Sequence, residues 1–243
     1  MSRTILLILI GLGVISAQAD TITVMYAGTG TGAIPTAVAD RNAWILSNFG
    51  AGDTTDILES FENDALGAYT SLNTGAGTFS VMSTSKAGNS ALSDGTKTDQ
   101  FTILDTADSP FQGRFNTTPG GNKWLDSNDI TQVQLSTTQS VLYFFITDVN
   151  DQSGVLTLKT GDGTTYSFSP NQANGDLYFV AIEASGPIGT IQWLNSSNDD
   201  GWGVDDFGTV QAATPEPSGL PLAAAGLFLV ALAWKYKSRM AAK

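Results

Sequence analysis

Over most of its length the chain alternates apolar and polar residues in short runs. TITVMY (21–26), DILESFE (56–62), GTFSVMS (77–83), QFTILD (100–105), DITQVQLS (129–136), SVLYFFITDV (140–149), GVLTLKTG (154–161), TTYSFS (164–169), LYFVAIEA (177–184), GTIQWLN (189–195) and GVDDFGTV (203–210) are rich in β-branched and aromatic residues. Such residues suit a pleated, half-buried surface, and each run predicts a strand. Turn dipeptides fall between runs at Asp94-Gly95, Gly120-Gly121, Asp162-Gly163 and Asn174-Gly175. Thr160-Gly161-Asp162-Gly163, set between two alternating runs, predicts a hairpin. One stretch breaks the period of two. TAVADRNAWILSNFG brings Val38, Ala39, Asn42, Ile45 and Leu46 near one face, begins after Pro35 and stops at Gly50, which predicts a helix over 36–48. Many short strands with turn signals between them predict an all-β chain, a jelly-roll β-sandwich with one short N-terminal helix. The ectodomain spans 20–211, with its main sandwich over 54–210.

The two ends follow another pattern. Residues 1–19 have Arg3, an apolar run from Ile5 to Ile15, and Ala17-Gln18-Ala19, the layout of a secretory signal peptide cut after Ala19. The run is shorter than the roughly 20 residues that span a bilayer. A second apolar run, Leu220 to Trp234, is interrupted by Pro221 and Gly226 and followed by Lys235, Lys237, Arg239 and Lys243. It predicts a marginal transmembrane helix in 219–243 whose basic tail stays in the cytoplasm. Immediately before it, in the linker 212–218, stands Pro215-Glu216-Pro217, a stiff extended segment that a processing enzyme can grip.

Composition narrows the chemistry. The net charge is −12, and five of the 11 basic residues sit at the two ends, so the ectodomain is strongly acidic and repels phosphate backbones. Nucleic acid is not an expected partner. With neither cysteine nor histidine, there is no disulfide framework, no Ser-His-Asp or Cys-His nucleophile and no zinc site built on His or Cys. Chemistry is left to carboxylates and tryptophans. Two acidic clusters stand out, LESFENDALG (58–67) and NDDGWGVDDFGTV (198–210). If the first and last strands of the sandwich lie side by side, Glu62 comes near Asp205 or Asp206, and such hard oxygen ligands suit Ca²⁺. Paired carboxylates across a cleft could instead serve a glycosidase. Solvated loops or metal ligation account better for acids in Asn, Gly and Ser company. Of the tryptophans, Trp44 reads as helix-to-sheet packing and Trp193 as core, while Trp124 and Trp202 lie in Gly- and Asp-rich surroundings where an exposed indole could stack on a sugar ring.

Triplet, short apolar span and basic end together resemble the PEP-CTERM sorting signal of Gram-negative bacteria. The resemblance implies recognition by an exosortase, transient anchoring in the inner membrane, and release to the cell surface or the exopolysaccharide matrix. Ser60-Phe61-Glu62, YFFITDVNDQSGVLTLKTGDG and GWGVDDFGTV together resemble the jelly-roll ectodomains found ahead of such signals. Those domains are similar to carbohydrate-binding modules, in which an early Glu and a late Asp hold a structural calcium. That resemblance implies Glu62 and Asp205 as ligands, with Asp206 as the alternate. The expected function is binding or structure, not catalysis: an exported protein associating with polysaccharide. A polysaccharide hydrolase and a purely structural matrix protein are the alternatives.

Overall fold

The computed structural model describes residues 19–50, 53–89, 99–107 and 113–211. Ala17, the Pro215-Glu216-Pro217 triplet and the C-terminal apolar run lie outside the described residues, whereas Ala19 is exposed just ahead of the first strand. Among the described residues, no helix is long and apolar enough to cross a membrane.

Among the described residues, fourteen strands build two antiparallel sheets, accompanied by one α-helix. In chain order these are β1 (Thr21–Thr29), α1 (Ile34–Asn48), β2 (Thr54–Glu59), β3 (Gly67–Tyr69), β4 (Ser71–Thr74), β5 (Gly77–Val81), β6 (Phe101–Asp105) and β7 (Lys123–Asp126). There follow β8 (Gln132–Thr137), β9 (Val141–Thr147), β10 (Leu156–Thr160), β11 (Thr165–Ser167), β12 (Asp176–Glu183), β13 (Gly189–Asn195) and β14 (Gly203–Gln211). The larger sheet runs β1-β12-β9-β14-β7-β6-β3, with β2 also paired to β14, and the smaller runs β11-β10-β13-β8-β5-β4. Each predicted strand has its counterpart. The Thr160–Gly163 segment turns β10 into β11, closed by a Thr160 N–H to Thr164 O bond of 2.9 Å. The very short β3, β4 and β7 are too brief to leave a period in the sequence.

The inward faces of the two sheets meet in one aromatic core. Phe207 is at its centre, stacked on Phe144 with ring centroids 4.9 Å apart and edge-on to Phe61, Phe79 and Trp193. Trp193 in turn stacks on Trp202 at 5.7 Å. Offset and edge-to-face pairs of this kind add about 0.5–1.5 kcal/mol each beyond the area that they bury.

A second cluster lies on the outer face of the larger sheet. There Ala33, Ala37, Trp44 and Ile45 cover Tyr143, Phe145, Leu177, Phe179 and Ala181 of β9 and β12. Trp44 is the helix-to-sheet contact that the sequence predicts, 5.7 Å from the Phe179 ring. The helix occupies the predicted span but presents a rotated face: Leu46 is 60% exposed, while Ala37 and Trp44 are buried. One bulky indole settles the rotation over a weakly periodic stripe. The strand predicted over 56–62 stops at Glu59 because the Glu59 carboxylate accepts the backbone N–H of Ser60 (3.0 Å) and Phe61 (2.7 Å). Phe61 therefore turns into the core with φ 58, a conformation costly for a bulky residue and held by the packing around it.

Candidate functional site

The first and last strands of the main sandwich are neighbours, with β2 antiparallel to β14 from Thr54↔Gln211 to Glu59↔Phe207. Register slips on both sides of β14 between Asp205 and Gly208, and Asp206 has φ 53. This bulge sends Phe207 into the core while turning Asp205 and Asp206 toward the segment 116–123, an aiming role typical of bulges. Asp205 Oδ2 accepts the backbone N–H of Thr117 (2.7 Å) and Thr118 (3.1 Å) as well as the Thr117 hydroxyl (3.1 Å), and Oδ1 accepts Asp206 N–H at 2.8 Å. Thr118 Oγ1 donates to Asp206 Oδ1 at 2.6 Å. At the other end of the same segment, Glu62 Oε1 accepts Asn122 N–H (2.8 Å) and Lys123 N–H (2.9 Å).

The three predicted acids thus hold one loop between the end of β2 and the last strand. Burial and the adjacent Asp206 charge push the Asp205 carboxyl well above the carboxylate range. Burial also raises Asp206, opposed first by the Thr118 hydroxyl and then by Arg41, with the Glu62 charge adding to the rise. Among the described residues, no group of three or more carboxylates is arranged to hold a metal ion. Both Asp205 oxygens are engaged by amides and a hydroxyl, whereas Glu62 and Asp206 each accept these bonds through one oxygen.

Trp124 and Trp202, expected as sugar platforms, are both 1% exposed. Trp202 lies against Trp193 between the sheets. Trp124 points to the opposite face of β7 from the core residue Leu125, beside Gly203 and the Arg114 side chain. Neither can stack on a saccharide, because other parts of the fold cover each indole.

A second polar assembly escapes sequence reading. Arg114 is buried and donates from Nη1 to Asp126 (3.0 Å), from Nη2 to Asp129 (2.7 Å) and from Nε to Asp148 (3.3 Å). Asp176 and Asp200 lie buried beside them. Gly201 makes room for the fork, since a Cβ there would collide with Arg114 Nη2 and Asp129 Oδ1. The members lie on five separate segments, and no local pattern links one to another.

A shallow cavity of about 180 Å³ is lined by Ile57, Leu58, Glu59, Ser60, Asn63 and Asp64. It holds a carboxylate pair, but both Glu59 oxygens are engaged by the backbone N–H groups of Ser60, Phe61 and Gly75. Glu59 is therefore a turn-former and not a base poised toward the cavity.

The outer face of the smaller sheet is of a different kind. Register places Ser167, Thr157, Leu194 and Gln132 in one cross-strand row. Thr165, Lys159, Gln192, Gln134, Ser80 and Ser71 form the next, and Thr190, Ser136, Thr78 and Asn73 a third. All are half-buried or exposed. Gln192 Nε2 donates to Gln134 Oε1 (3.0 Å), Gln134 Nε2 to Ser136 Oγ (3.2 Å), and Thr157 shares a 2.8 Å bond with Ser167. In a chain of net charge −12, these rows contain no carboxylate among the described residues, and Lys159 is their one charge.

No protein-family model matches the chain, and no curated protein is similar to it. Among solved structures, two that are similar to it each match 68% of its length with a TM-score of 0.31. One is the CBM22-1 xylan-binding domain from Paenibacillus barcinonensis Xyn10C, at 12% identity over all of that chain. The other is the family 11 carbohydrate-binding module of the cellulosomal cellulase Lic26A-Cel5E of Clostridium thermocellum, at 11% identity over 98% of that chain.

Proposed function

We propose that the chain is an exported, non-catalytic protein of the cell surface or extracellular matrix that associates with neutral polysaccharide. The observation that carries this reading is the acid-free amide and hydroxyl face of the smaller sheet. Side-chain amides and hydroxyls both donate and accept, matching the hydroxyls of an uncharged sugar chain, and the absence of carboxylates spares such a ligand the desolvation of fixed charge. The outer face of the larger sheet differs: among the described residues, α1 covers β9 and β12 and the segment 113–123 lies over Trp124 and Asp205. Alternation of β8 to β14 between the two sheets, apart from the β10–β11 hairpin, supports describing the sandwich as a jelly roll.

Sorting belongs to the same proposal. An exosortase in the inner membrane acts at Pro215-Glu216-Pro217 while the apolar run and its basic tail hold the chain there transiently. A structural Ca²⁺ fits Glu62 and Asp206 with backbone carbonyls better than it fits Asp205. Bound there, it would offset charge that burial now pushes toward protonation.

Affinity electrophoresis through gels cast with neutral polysaccharides tests the binding face. Retardation of the wild type, lost in the Gln134→Ala/Gln192→Ala pair at unchanged melting temperature, is expected. No retardation by any neutral polysaccharide, or full retention in the pair, refutes the reading. The Ca²⁺ assignment predicts a melting temperature that falls on adding EDTA and does so less in Asp206→Asn. Replacing Pro215 and Pro217 by alanine is expected to leave the chain in the inner-membrane fraction.

A further inference from the structure

Five carboxylates converge on Arg114 at one end of the sandwich, from Asp126 at the end of β7, Asp129 before β8, Asp148 after β9, Asp176 at the start of β12 and Asp200 before β14. None of the five is more than 3% exposed. Arg114 ion-pairs with Asp126, Asp129 and Asp148; among the described residues, Asp176 and Asp200 make no ion pair. Among the described residues, Asp126 Oδ2 and Asp200 Oδ1 are buried with no donor, and Asp176 Oδ2 has near it only the Tyr178 hydroxyl, which donates to Gln172 Oε1 at 2.9 Å. A buried carboxylate oxygen without a donor is costly when ionised, and a bound proton removes the charge at once.

The same carboxylates hold the backbone. Asp176 Oδ1 accepts Val149 N–H (2.8 Å), Asp148 Oδ1 accepts Gly175 N–H (2.9 Å) and Asp200 Oδ2 accepts Gly154 N–H (2.8 Å). Asn195 Nδ2 donates to Asp200 O at 2.6 Å, and Asn128 N–H to Asp126 Oδ1 at 2.6 Å. These bonds fasten the loops that lead into β8, β10 and β14 and out of β9 and β13.

We propose that this cluster is a proton-operated latch, which retains protons in the folded protein near neutrality and loosens the loops 148–155 and 196–202 when they leave. The groups facing it support the sign. Burial raises Asp148 to about 7, opposed by Arg114 and the Gly175 N–H and reinforced by Asp151 and Asp176. Burial raises Asp176 to about 7, opposed by the Val149 N–H and the Tyr178 hydroxyl and reinforced by Asp151. Asp200 rises to about 6 by burial, with Gly154 N–H and Arg114 opposing, and Asp151 and Asp129 reinforcing. Asp129 is also raised, by burial and by Asp126 and Asp199 against Arg114. A carboxyl titrating near 7 passes from roughly nine-tenths protonated at pH 6 to roughly one-tenth at pH 8. Each proton lost adds a like charge beside Asp151, the half-exposed acid that neighbours all three.

Infrared spectroscopy and hydrogen exchange on the full-length chain in mild detergent test this. The folded chain is expected to show a protonated-carboxyl band at pH 6 that weakens by pH 8.5, with a smaller loss over that range in Asp176→Asn and in Asp200→Asn. Corrected for intrinsic rates, amide protection in 148–155 and 196–202 should fall at least tenfold over that range while β9 and β12 stay protected. The substitution that folds better serves for comparison, and the wild-type titration stands without either. Absence of the band at pH 6, unchanged protection, or loss of the band at pH 6 on adding Ca²⁺, which would make the cluster a cation site, overturns the proposal.

Discussion

At the scale of single residues, the polar assemblies are held by a few atoms with no substitutes. Arg114 offers a planar fork that reaches three carboxylates, and a lysine at that position presents one point charge instead. Removing the cation with Arg114→Met leaves its buried partners uncompensated, and chemical denaturation is expected to show a loss of about 3–5 kcal/mol. Arg114→Lys should lose less. Gly201→Ala, whose Cβ would meet both Arg114 and Asp129, is expected to lower the denaturation midpoint without altering the far-ultraviolet circular dichroism spectrum. Trp193 touches Phe79, Phe144, Trp202 and Phe207 at once. Truncation to alanine should cost about 3–5 kcal/mol, as for other large buried aromatics.

At the scale of elements, α1 and the segment 116–123 do related work on the larger sheet. Each covers outward-facing residues that would otherwise be wetted: Tyr143, Phe145 and Phe179 under the helix, Asp205 under the loop. Trp44→Ala is expected to destabilise by about 3 kcal/mol, with amide exchange rising in α1 and β1 before the central strands β9 and β12. Arg41 lies 5.8 Å over the Tyr143 ring and 6.0 Å over that of Phe145, so the helix also brings a cation toward Asp206. The helix was legible from Pro35 and its spacing, but its buried face was not. Periodicity reports a stripe, whereas the rotation was set by the aromatic floor that β9 and β12 supply from more than a hundred residues away.

At the scale of the whole molecule, buried acid makes stability depend on pH. Asp148 and Asp176 titrate at about 7 and Asp200 at about 6 when folded, against an ordinary value of 3.8. Between those limits the folded chain holds protons that the unfolded chain has lost, so stability falls as pH rises from about 4 to about 7 and the change is complete above that. Thermal unfolding should show a higher midpoint at pH 5 than at pH 8, and Asp176→Asn should narrow the difference. The candidate sites divide by legibility in the same way. Glu62, Asp205 and Asp206 could be singled out because strands that begin and end a sandwich tend to meet, and β2 and β14 do. The Arg114 cluster could not, since its residues lie on separate loops and strand ends and only the closing of two sheets brings them together.

The sequence by itself determined the class of fold, nearly every strand, the hairpin at Thr160–Gly163 and the acidic character of residues 20–211, because these follow from local alternation, turn residues and composition. Tertiary structure alone decided which polar groups face water. It buried Trp124 and Trp202 despite their glycine-rich flanks, turned Asp205 and Asp206 onto a loop through one bulge, and left the smaller sheet with an acid-free face. Exposure is a property of what packs on top of a residue. In this chain the covering groups come from distant segments that local pattern cannot connect.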